Sequence, residues 1–550
     1  MDCLAIGLVP MDDTKYVISM ASGLALGMSP DRSRPSPAVA SAHREVEVKM
    51  RVSSDFDVTA YLHDLAGTTL VGPSSTHMSA AYYDTEGLTL LRWGITVRRR
   101  EGGTDAGWHM KLPVADGQEG AREELHLPLN AGAPGAVPAE FIAMIAPLLR
   151  NIDIEYLADV NTTRTTYTLV DKHGNSLVEV ADDHVSVEQN KSEFNAFHEI
   201  EVEVLDDSKR ALNLLREVQK RILDSGATPM KLSKLASAMG PVASEPPDVP
   251  DLGPLAKDCL GVEFIRHVIS EHTRQFLLAD VGVRRGEPDS IHQMRVATRR
   301  LRSTLSSFKG LAEVEHTQHL RKELAWIARE LGEVRDLEVL LDRLTQQASV
   351  LSDPTDADVA ARFIRSELQQ RLDVAQSSAL VALRGPRHYD LVEDLIAASS
   401  QPPVTHAAFH PAKPLLTSMA QRTWVKLAKD VRELSLTCPD AEWHAVRIRA
   451  KRARYTAESA ATITGKAVRT YARNLATITD ILGDLHDAHV AEIFLRELAQ
   501  APNASGRQAL ALGRLIDLQN RRNHIEHRRF IKAWPATRSA ARRAGMRQSR

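Results

Sequence analysis

The sequence predicts an α+β, multidomain protein: a β barrel with helices, followed by an all-α, duplicated helical bundle. Three observations carry this. Short alternating strands, broken by turn signals such as Gly102-Gly103 and His173-Gly174-Asn175, fill the first half. A proline- and acid-rich stretch, Ser244–Pro254, interrupts the chain. After it, apolar residues recur at i, i+3, i+4 and i+7 almost to the end.

Each element follows in order. Residues 1–41 hold apolar stretches interrupted by Asp12, Asp13 and Lys15, too short to span a bilayer. They lack a basic start and a cleavage site, so a disordered leader is expected rather than a signal peptide. Strands are expected at Glu45–Val52, Ile95–Arg100, Trp108–Leu112, Tyr167–Val170, Leu177–Val180 and Glu199–Val204. Helices are expected near 138–150 and 207–225. Many short strands spaced this way suggest a barrel. A linker is expected over 241–255.

The helical half repeats itself. His292-Gln-Met-Arg295-Val-Ala-Thr-Arg299-Arg-Leu-Arg302 matches His444-Ala-Val-Arg447-Ile-Arg-Ala-Lys451-Arg-Ala-Arg454. Leu331-Gly332-Glu-Val-Arg-Asp336 matches Leu482-Gly483-Asp-Leu-His-Asp487 at nearly the same offset. Two matched blocks indicate a duplication. The basic segment 536–550, with Arg538, Arg542, Arg543, Arg547 and Arg550, lacks apolar periodicity and reads as a disordered tail that could add polyanion affinity.

Composition bounds the function. With 550 residues, 43% apolar and 25% charged, the chain reads as a soluble globular protein. Its three cysteines, Cys3, Cys259 and Cys438, show no paired spacing. That argues against a disulfide framework or a zinc site and fits a reducing cytoplasm. The net charge of −2 hides an asymmetry. Residues 1–254 carry 23 Lys+Arg against 37 Asp+Glu, and residues 255–550 carry 46 against 34. Arginine supplies 37 of those 46, and its planar fork suits phosphate oxygens, so a polyanion partner is expected.

Residues two apart on a strand share a face. Glu45, Glu47 and Lys49 therefore point one way, as do Arg98 and Arg100, and Glu199, Glu201 and Glu203. Solvated amphipathic strands commonly look like this. A lumen holding both signs is the functional alternative. Arginine and lysine would neutralise a triphosphate, and carboxylates would hold a divalent cation that bridges to it.

With these motifs, the first half resembles the CYTH family, the triphosphate tunnel metalloenzymes. Glu45-x-Glu47-x-Lys49 is similar to its ExExK. Tyr82-Tyr83-Asp84-Thr85, Gly94-Ile-Thr-Val-Arg98-Arg-Arg100, Ala181-Asp182-Asp183, Glu199-Ile-Glu201-Val-Glu203 and Ser233-Lys234 are similar to later motifs, in order. Val97 and Leu235 depart from the usual Leu and Tyr without touching a charged role.

The resemblance implies an eight-stranded antiparallel tunnel over 42–240 that hydrolyses a triphosphate with Mg²⁺ or Mn²⁺. It implies Glu45, Glu47 and Lys49 as catalytic. Arg98, Arg100, Lys111, Arg164 and Lys234 would bind substrate. Glu45, Glu47, Asp183, Glu201 and Glu203 would hold metal. Whether Asp182 or Asp183 faces inward is open, with strand alternation favouring Asp183.

In the helical half, His292, Arg295, Arg299 and Arg302 lie on one helical face, as do His444, Arg447, Lys451 and Arg454. Such stripes are often only solvated, and Glu458 and Asp336 are available as partners. Finding the stripe twice favours a polyanion site. A metal site on the two histidines is less attractive, since no carboxylate stands at ligand spacing. Residues 256–535 resemble the CHAD family, which implies two four-helix units (about 256–400 and 411–535) that bind inorganic polyphosphate through these eight residues. His486 stands where the first copy has Arg335.

The expected function is hydrolysis of inorganic triphosphate, with the helical half tethering the enzyme to polyphosphate in the cytoplasm or on polyphosphate granules. The alternatives are a polyphosphate-binding protein with a non-catalytic tunnel, or chemistry on nucleoside or thiamine triphosphate, including adenylate cyclisation. The absence of a base-recognising aromatic motif near the tunnel strands favours a substrate without a base. No specific nucleic acid and no membrane partner is expected. The sequence leaves the oligomeric state open.

Overall fold

The computed structural model describes residues 41–546 except 66, 104, 114–120, 134, 190–191, 207, 231–232 and 309, with backbone alone at 41–45, 121 and 192–194. The leader, apart from the backbone of Ser41, lies outside the described residues, as do Arg547 and Arg550.

Nine strands form one antiparallel sheet: β1 (Ser41–Val52), β2 (Thr68–Asp84), β3 (Thr96–Glu101), β4 (Gly107–Pro113), β5 (Ala121–Leu127), β6 (Glu155–Asp171), β7 (Ser176–Gln189), β8 (Ser192–Val204) and β9 (Thr228–Met230). Their order is β5-β4-β3-β2-β6-β7-β8-β1-β9, and a further β5–β1 pairing closes the first eight into a ring. The short β9 adds beside the second half of β1. Thirteen helices are described: α1 (Thr89–Arg92), α2 (Ala139–Leu149), α3 (Lys209–Asp224), α4 (Lys234–Met239), α5 (Gly261–Arg284), α6 (Ser290–Ser307), α7 (Val314–Ala348), α8 (Pro354–Arg384), α9 (Pro386–Ser400), α10 (Ala412–Glu433), α11 (Asp440–Thr464), α12 (Lys466–Ala499) and α13 (Gly506–Arg543).

Strand alternation sets the faces of the ring. Met50, Val178, Val180, Ile200 and Val202 point outward, where Ala211, Leu214, Leu215, Val218 and Ile222 of α3 cover them. The alternate residues, largely charged, are left inside. Helix α3 follows from its sequence: Ser208 caps its N-terminus by accepting from Ala211 N, and its apolar residues recur at helical spacing. Strands β2 and β5 were not anticipated. The middle of β2 is exposed from Val71 to Ser75 and reads as polar through Ser74-Ser75-Thr76-His77, so the strand shows no apolar period. In β5 the inward residues are charged, so alternation exists but reads as a polar loop.

The duplication is visible in element order. Helices α5–α8 repeat as α10–α13, with α9 between. The two copies share a core in which Leu340, Leu344, Phe363, Ile364 and Leu368 pack with Phe494, Leu495, Leu498, Leu512 and Leu515. Inside it, Gln519 Nε2 donates to Gln347 Oε1 at 2.5 Å, joining two buried amides across the copies. Helix α13 runs on through Arg543, so most of the segment expected as a tail is helical. Its buried face there is Thr537, Ala540 and Ala541, residues too small to register as apolar periodicity. Among the described residues no helix is long and apolar enough to cross a membrane.

The expected linker is a strap that holds the two halves together. Asp248 accepts from the Trp93 indole at 3.2 Å and lies 2.8 Å from Arg150 Nη1. Arg92 pairs with Glu245 at 2.5 Å. From the helical side, Ser270 Oγ donates to Pro250 O at 3.1 Å, and Arg274 donates to Val249 O while its guanidinium stacks on Trp93. Arg285 reaches Glu123 of β5 at 2.5 Å. Removing the shared acceptor by Asp248→Ala is expected to lower stability by about 1–3 kcal/mol. It should also speed proteolysis within 244–255. Cleavage there at the wild-type rate would contradict this account of the strap.

Candidate functional site

The strand register assembles the lumen. Lys49 lies opposite Glu201 and Glu47 opposite Glu203. Glu199, Glu201 and Glu203 face Asp183, Ala181 and Glu179 on the other side. Asp183 pairs with Arg164, and Arg164 with Thr76. Tyr82 lies opposite Arg98, which lies opposite His109. Lys111 lies opposite Glu124. Glu45 pairs with Arg122 across the closing β1–β5 contact, described at backbone level for Glu45. In ring order β8 and β3 are four strands apart either way, so an acid-rich wall centred on β8 faces a base-rich one centred on β3.

The acidic wall has a centre. Ligand oxygens of Asp183, Glu199 and Glu201 all lie within 4.8 Å of one another, and all three residues are buried. Lys234, at the start of α4, places its ammonium 2.9 Å from Asp183, 2.6 Å from Glu199 and 2.6 Å from Glu201. Lys49 adds contacts at 2.5 Å to Glu201 and 3.2 Å to Glu47. Arg164 holds Asp183 through two donors, at 2.8 and 2.6 Å, and also pairs with Glu201.

These contacts set the charges. Burial opposes ionisation of Glu201, but Lys234, Lys49 and Arg164 hold its carboxyl well below the usual range. Burial likewise opposes Glu47, yet Lys49, Lys111 and Lys234 hold it low. Glu203 has less compensation, and burial with the Glu47 charge pushes it up to about 7. Neither Glu199 oxygen receives a geometrically formed hydrogen bond, and the residue is wholly buried. The ion contact to Lys234 is its compensation. Three hard oxygen donors around an under-satisfied carboxylate fit a divalent cation such as Mg²⁺ or Mn²⁺.

The basic wall is crowded. Arg98 donates to Tyr82 Oη at 3.3 Å and pairs with Glu124 at 3.3 Å. Lys111 lies 3.7 Å from Glu124. Arg100 pairs with Asp105, and burial together with the Arg98 charge brings its pKa down to about 10. His109 Nδ1 lies 2.9 Å from Glu124, and burial pushes its pKa down to about 4. Crowded, partly desolvated cations are the signature of an anion site.

The structure thus brings together Glu47, Lys49, Arg98, Arg100, Lys111, Arg164, Asp183, Glu201, Glu203 and Lys234. Asp183 is buried in the lumen, while Asp182 points out to His198 at 2.6 Å. Sequence reasoning placed Glu199 and Glu179 on the inward face without giving them a role, and missed Glu124, His109 and Arg122. Glu199 shares strand parity with Glu201 and Glu203 and was legible. Glu124 and Arg122 lie on the unanticipated strand β5.

In the helical half, α6 and α11 bring their basic faces together. Arg295 donates to Gly332 O at 2.7 Å and to Asp336 at 3.0 Å. Arg299 stacks on Tyr455 of the other copy, 5.5 Å from its ring centre. The Nε groups of Arg299 and Arg447 are buried without a partner among the described residues. Burial and the nearby Arg447 and Arg299 bring Lys451 down to about 7. Burial and Arg447 push His486 down to about 3, with its ring 4.9 Å from that of His444. Burial, with Arg335 nearby, lowers His292. Arg302 lies further along the same face of α6. Arg454 is diverted, donating to Glu458 at 2.7 Å, Thr479 at 2.9 Å and Asp480 at 3.3 Å.

Comparisons with known proteins agree with this division. Residues 43–228 match the family model of the CYTH domain, and residues 267–496 that of the CHAD domain. Two uncharacterised proteins of Mycobacterium tuberculosis, from strains CDC 1551 and H37Rv, are each 31% identical over 500 residues, covering 88% of this chain and 93% of theirs. Solved structures that resemble it include PptA from Streptomyces chartreusis (23% identity, 50% of this chain and 99% of that one, TM-score 0.44). The CHAD domain of the plant Ricinus communis is another (25%, 54% and 95%, TM-score 0.43). So is the Hippeastrum protein HpAC1, described as having a dominant triphosphatase activity (18%, 36% and 98%, TM-score 0.23). TM-scores this low carry no more than the likeness itself.

Lys234→Met would leave three buried carboxylates without their shared ammonium. The expected cost is about 3–5 kcal/mol. Millimolar Mg²⁺ or Mn²⁺ should restore part of it, read as a shift in urea midpoint of the variant exceeding that of wild type. No cation-dependent recovery would contradict the cation assignment.

Proposed function

The chain belongs to the family that joins a CYTH domain to a CHAD domain, and from that premise we propose that it hydrolyses inorganic triphosphate in the β ring with Mg²⁺ or Mn²⁺, while its basic helical face binds inorganic polyphosphate. CYTH tunnel enzymes hydrolyse triphosphates and depend on divalent metal. The observation that carries the reading is the facing of the two walls: buried carboxylates at Asp183, Glu199 and Glu201 across from crowded cations at Arg98, Arg100 and Lys111.

The roles follow from position. Arg98, Arg100, Lys111 and Arg164 neutralise and orient the phosphate oxygens. Glu47, Asp183, Glu201 and Glu203, joined by Glu199 and by Glu45 on the same strand face, supply the carboxylates that would hold the cation. A bound divalent cation contributes charge neutralisation and a more acidic water. Lys49 holds a phosphate oxygen or orients the attacking water. Lys234, held by Asp183, Glu199 and Glu201, would bind substrate at the edge of the acid cluster. Phosphoryl transfer needs little else beyond positioning and electrostatics.

Among the described residues, inward aromatic rings are engaged. Tyr82 receives Arg98, Phe197 lies under Arg51, and His109 packs against His126. That leaves no ring for a nucleobase and supports a base-free substrate. The helical face would hold polyphosphate near the ring, raising local substrate concentration. Such a protein works in the cytoplasm, on or near polyphosphate granules.

Phosphate release from tripolyphosphate, ATP and long polyphosphate, with Mg²⁺ or Mn²⁺, tests the reading. Tripolyphosphate should be turned over fastest, and no metal-dependent turnover of any of them by folded protein would sink it. Glu47→Gln should cut turnover by at least about 100-fold and leave polyphosphate binding intact. Arg299→Glu with Lys451→Glu should do the reverse.

Lys451 adds a pH test. Its depressed pKa of about 7 leaves it mostly neutral at pH 8, and an arriving polyanion raises that value. Binding at pH 7.5 should therefore take up protons and tighten by up to about 10-fold between pH 8.5 and 6.5. Lys451→Met should abolish most of that slope. An unchanged slope would show that other groups carry the pH dependence.

A further inference from the structure

The wall formed by β7 and β8 carries a second set of ligand-type side chains on its outward face. Strand parity puts Asp183 and Glu199 in the lumen and turns Asp182, His184 and His198 the other way. The apolar patch beneath α3 ends at Val180 and Ile200, so these three stand just past its edge. His184 and His198 lie directly opposite each other in register, and their rings stack with centres 4.0 Å apart. Asp182, two residues before His184 on β7, places Oδ1 2.6 Å from His198 Nε2 and 3.8 Å from His184 Nε2. One ligand atom from each of the three residues lies within 4.8 Å of the other two.

The cluster has a fixed side and an open side. His198 is only 4% exposed, and its Nδ1 lies 2.8 Å from Ser53 O. A carbonyl oxygen only accepts, so Nδ1 holds the hydrogen and Nε2 is the atom turned to Asp182. Anchoring through the other ring nitrogen is the supporting contact that metal-binding histidines almost always have. His184 is exposed, so an ion has a path in from solvent, and its ring is free to turn out of the stack toward that ion. Thr163 and Thr165, opposite His184 and Asp182 on β6, bring no positive charge to repel it.

Donor chemistry names the ion. Two imidazole nitrogens and one carboxylate oxygen suit Zn²⁺, whereas Mg²⁺ takes oxygen donors. Three protein ligands leave one position of a tetrahedron to water.

We propose that Asp182, His184 and His198 form a Zn²⁺ site on the outer face of the ring, separate from the lumen and selective against Mg²⁺. It uses no cysteine, so the cysteine spacing does not bear on it. Asp182 adjoins Asp183 and His198 adjoins Glu199, so an ion there clamps β7 to β8 at the level of the lumen's acid cluster.

The test titrates the untagged full chain with Co²⁺ in excess Mg²⁺, reading the visible absorption of low-coordinate cobalt, and then adds Zn²⁺. One equivalent of strongly absorbing cobalt is expected, and Zn²⁺ should displace it. His184→Ala, at an exposed position, should weaken cobalt binding by at least about 10-fold. His319→Ala, which removes another surface histidine–aspartate pair, should leave it unchanged. Absorption that survives His184→Ala undiminished, that falls equally in His319→Ala, or that never appears with wild type would overturn the proposal. None of these outcomes bears on the triphosphatase reading, which turns on metal inside the lumen.

Discussion

One ammonium organises the first half of this protein. Asp183, Glu199 and Glu201 are buried together in a closed ring of strands, where three uncompensated carboxylates could not all remain ionised. Lys234 touches all three, with help from Lys49 and Arg164. Because Lys234 opens helix α4, the same contact seats Leu235 and Ala238 in the end of the ring. The charge balance, the seating of α4 and the position of the acid cluster are therefore one arrangement. A metal ion and a phosphate chain would replace ion pairs that the lumen side chains make with one another, so the site is preorganised without being inert.

The helical half uses the opposite device. Its cations are gathered without enough acids. Among the described residues the buried Nε groups of Arg299 and Arg447 have no partner, and burial, then Arg447 and Arg299, brings Lys451 down to about 7. The tunnel acids are neutralised from within, whereas the helical cations have fewer acids beside them. Asp336 and Asp487 soften the repulsion but do not cancel it. Arg454 shows the limit of the stripe: at the far end of α11, Glu458 and Asp480 take it up.

The sequence made much of this legible, for identifiable reasons. Strand parity alone put Glu47 with Lys49, Arg98 with Arg100, and Glu201 with Glu203. It also favoured Asp183 over Asp182, because an inward acid must alternate with Glu179 and Ala181. Duplication was readable because the two histidine–arginine helices keep their spacing. Strand β2 was not legible, since its polar residues carry no period, and neither was β5, whose alternation is written in charges. Glu124 and Arg122 were lost with it. The seating of α4 was hidden because the helix is short and its small apolar residues gain meaning only once the strands pack around them. The contacts of the linker were not legible because proline and acid usually mean solvent, whereas Asp248 and Glu245 here answer Trp93, Arg150 and Arg92.

The most direct measurement of the central claim is a crystal structure of the full chain grown with Mn²⁺ and tripolyphosphate, with manganese located by its anomalous scattering. The account predicts a manganese peak within coordination distance of Asp183, Glu199 or Glu201, and phosphate oxygens on Arg98, Arg100 and Lys111. A triphosphate bound in the lumen with manganese absent from those carboxylates, or a manganese site elsewhere, would contradict it.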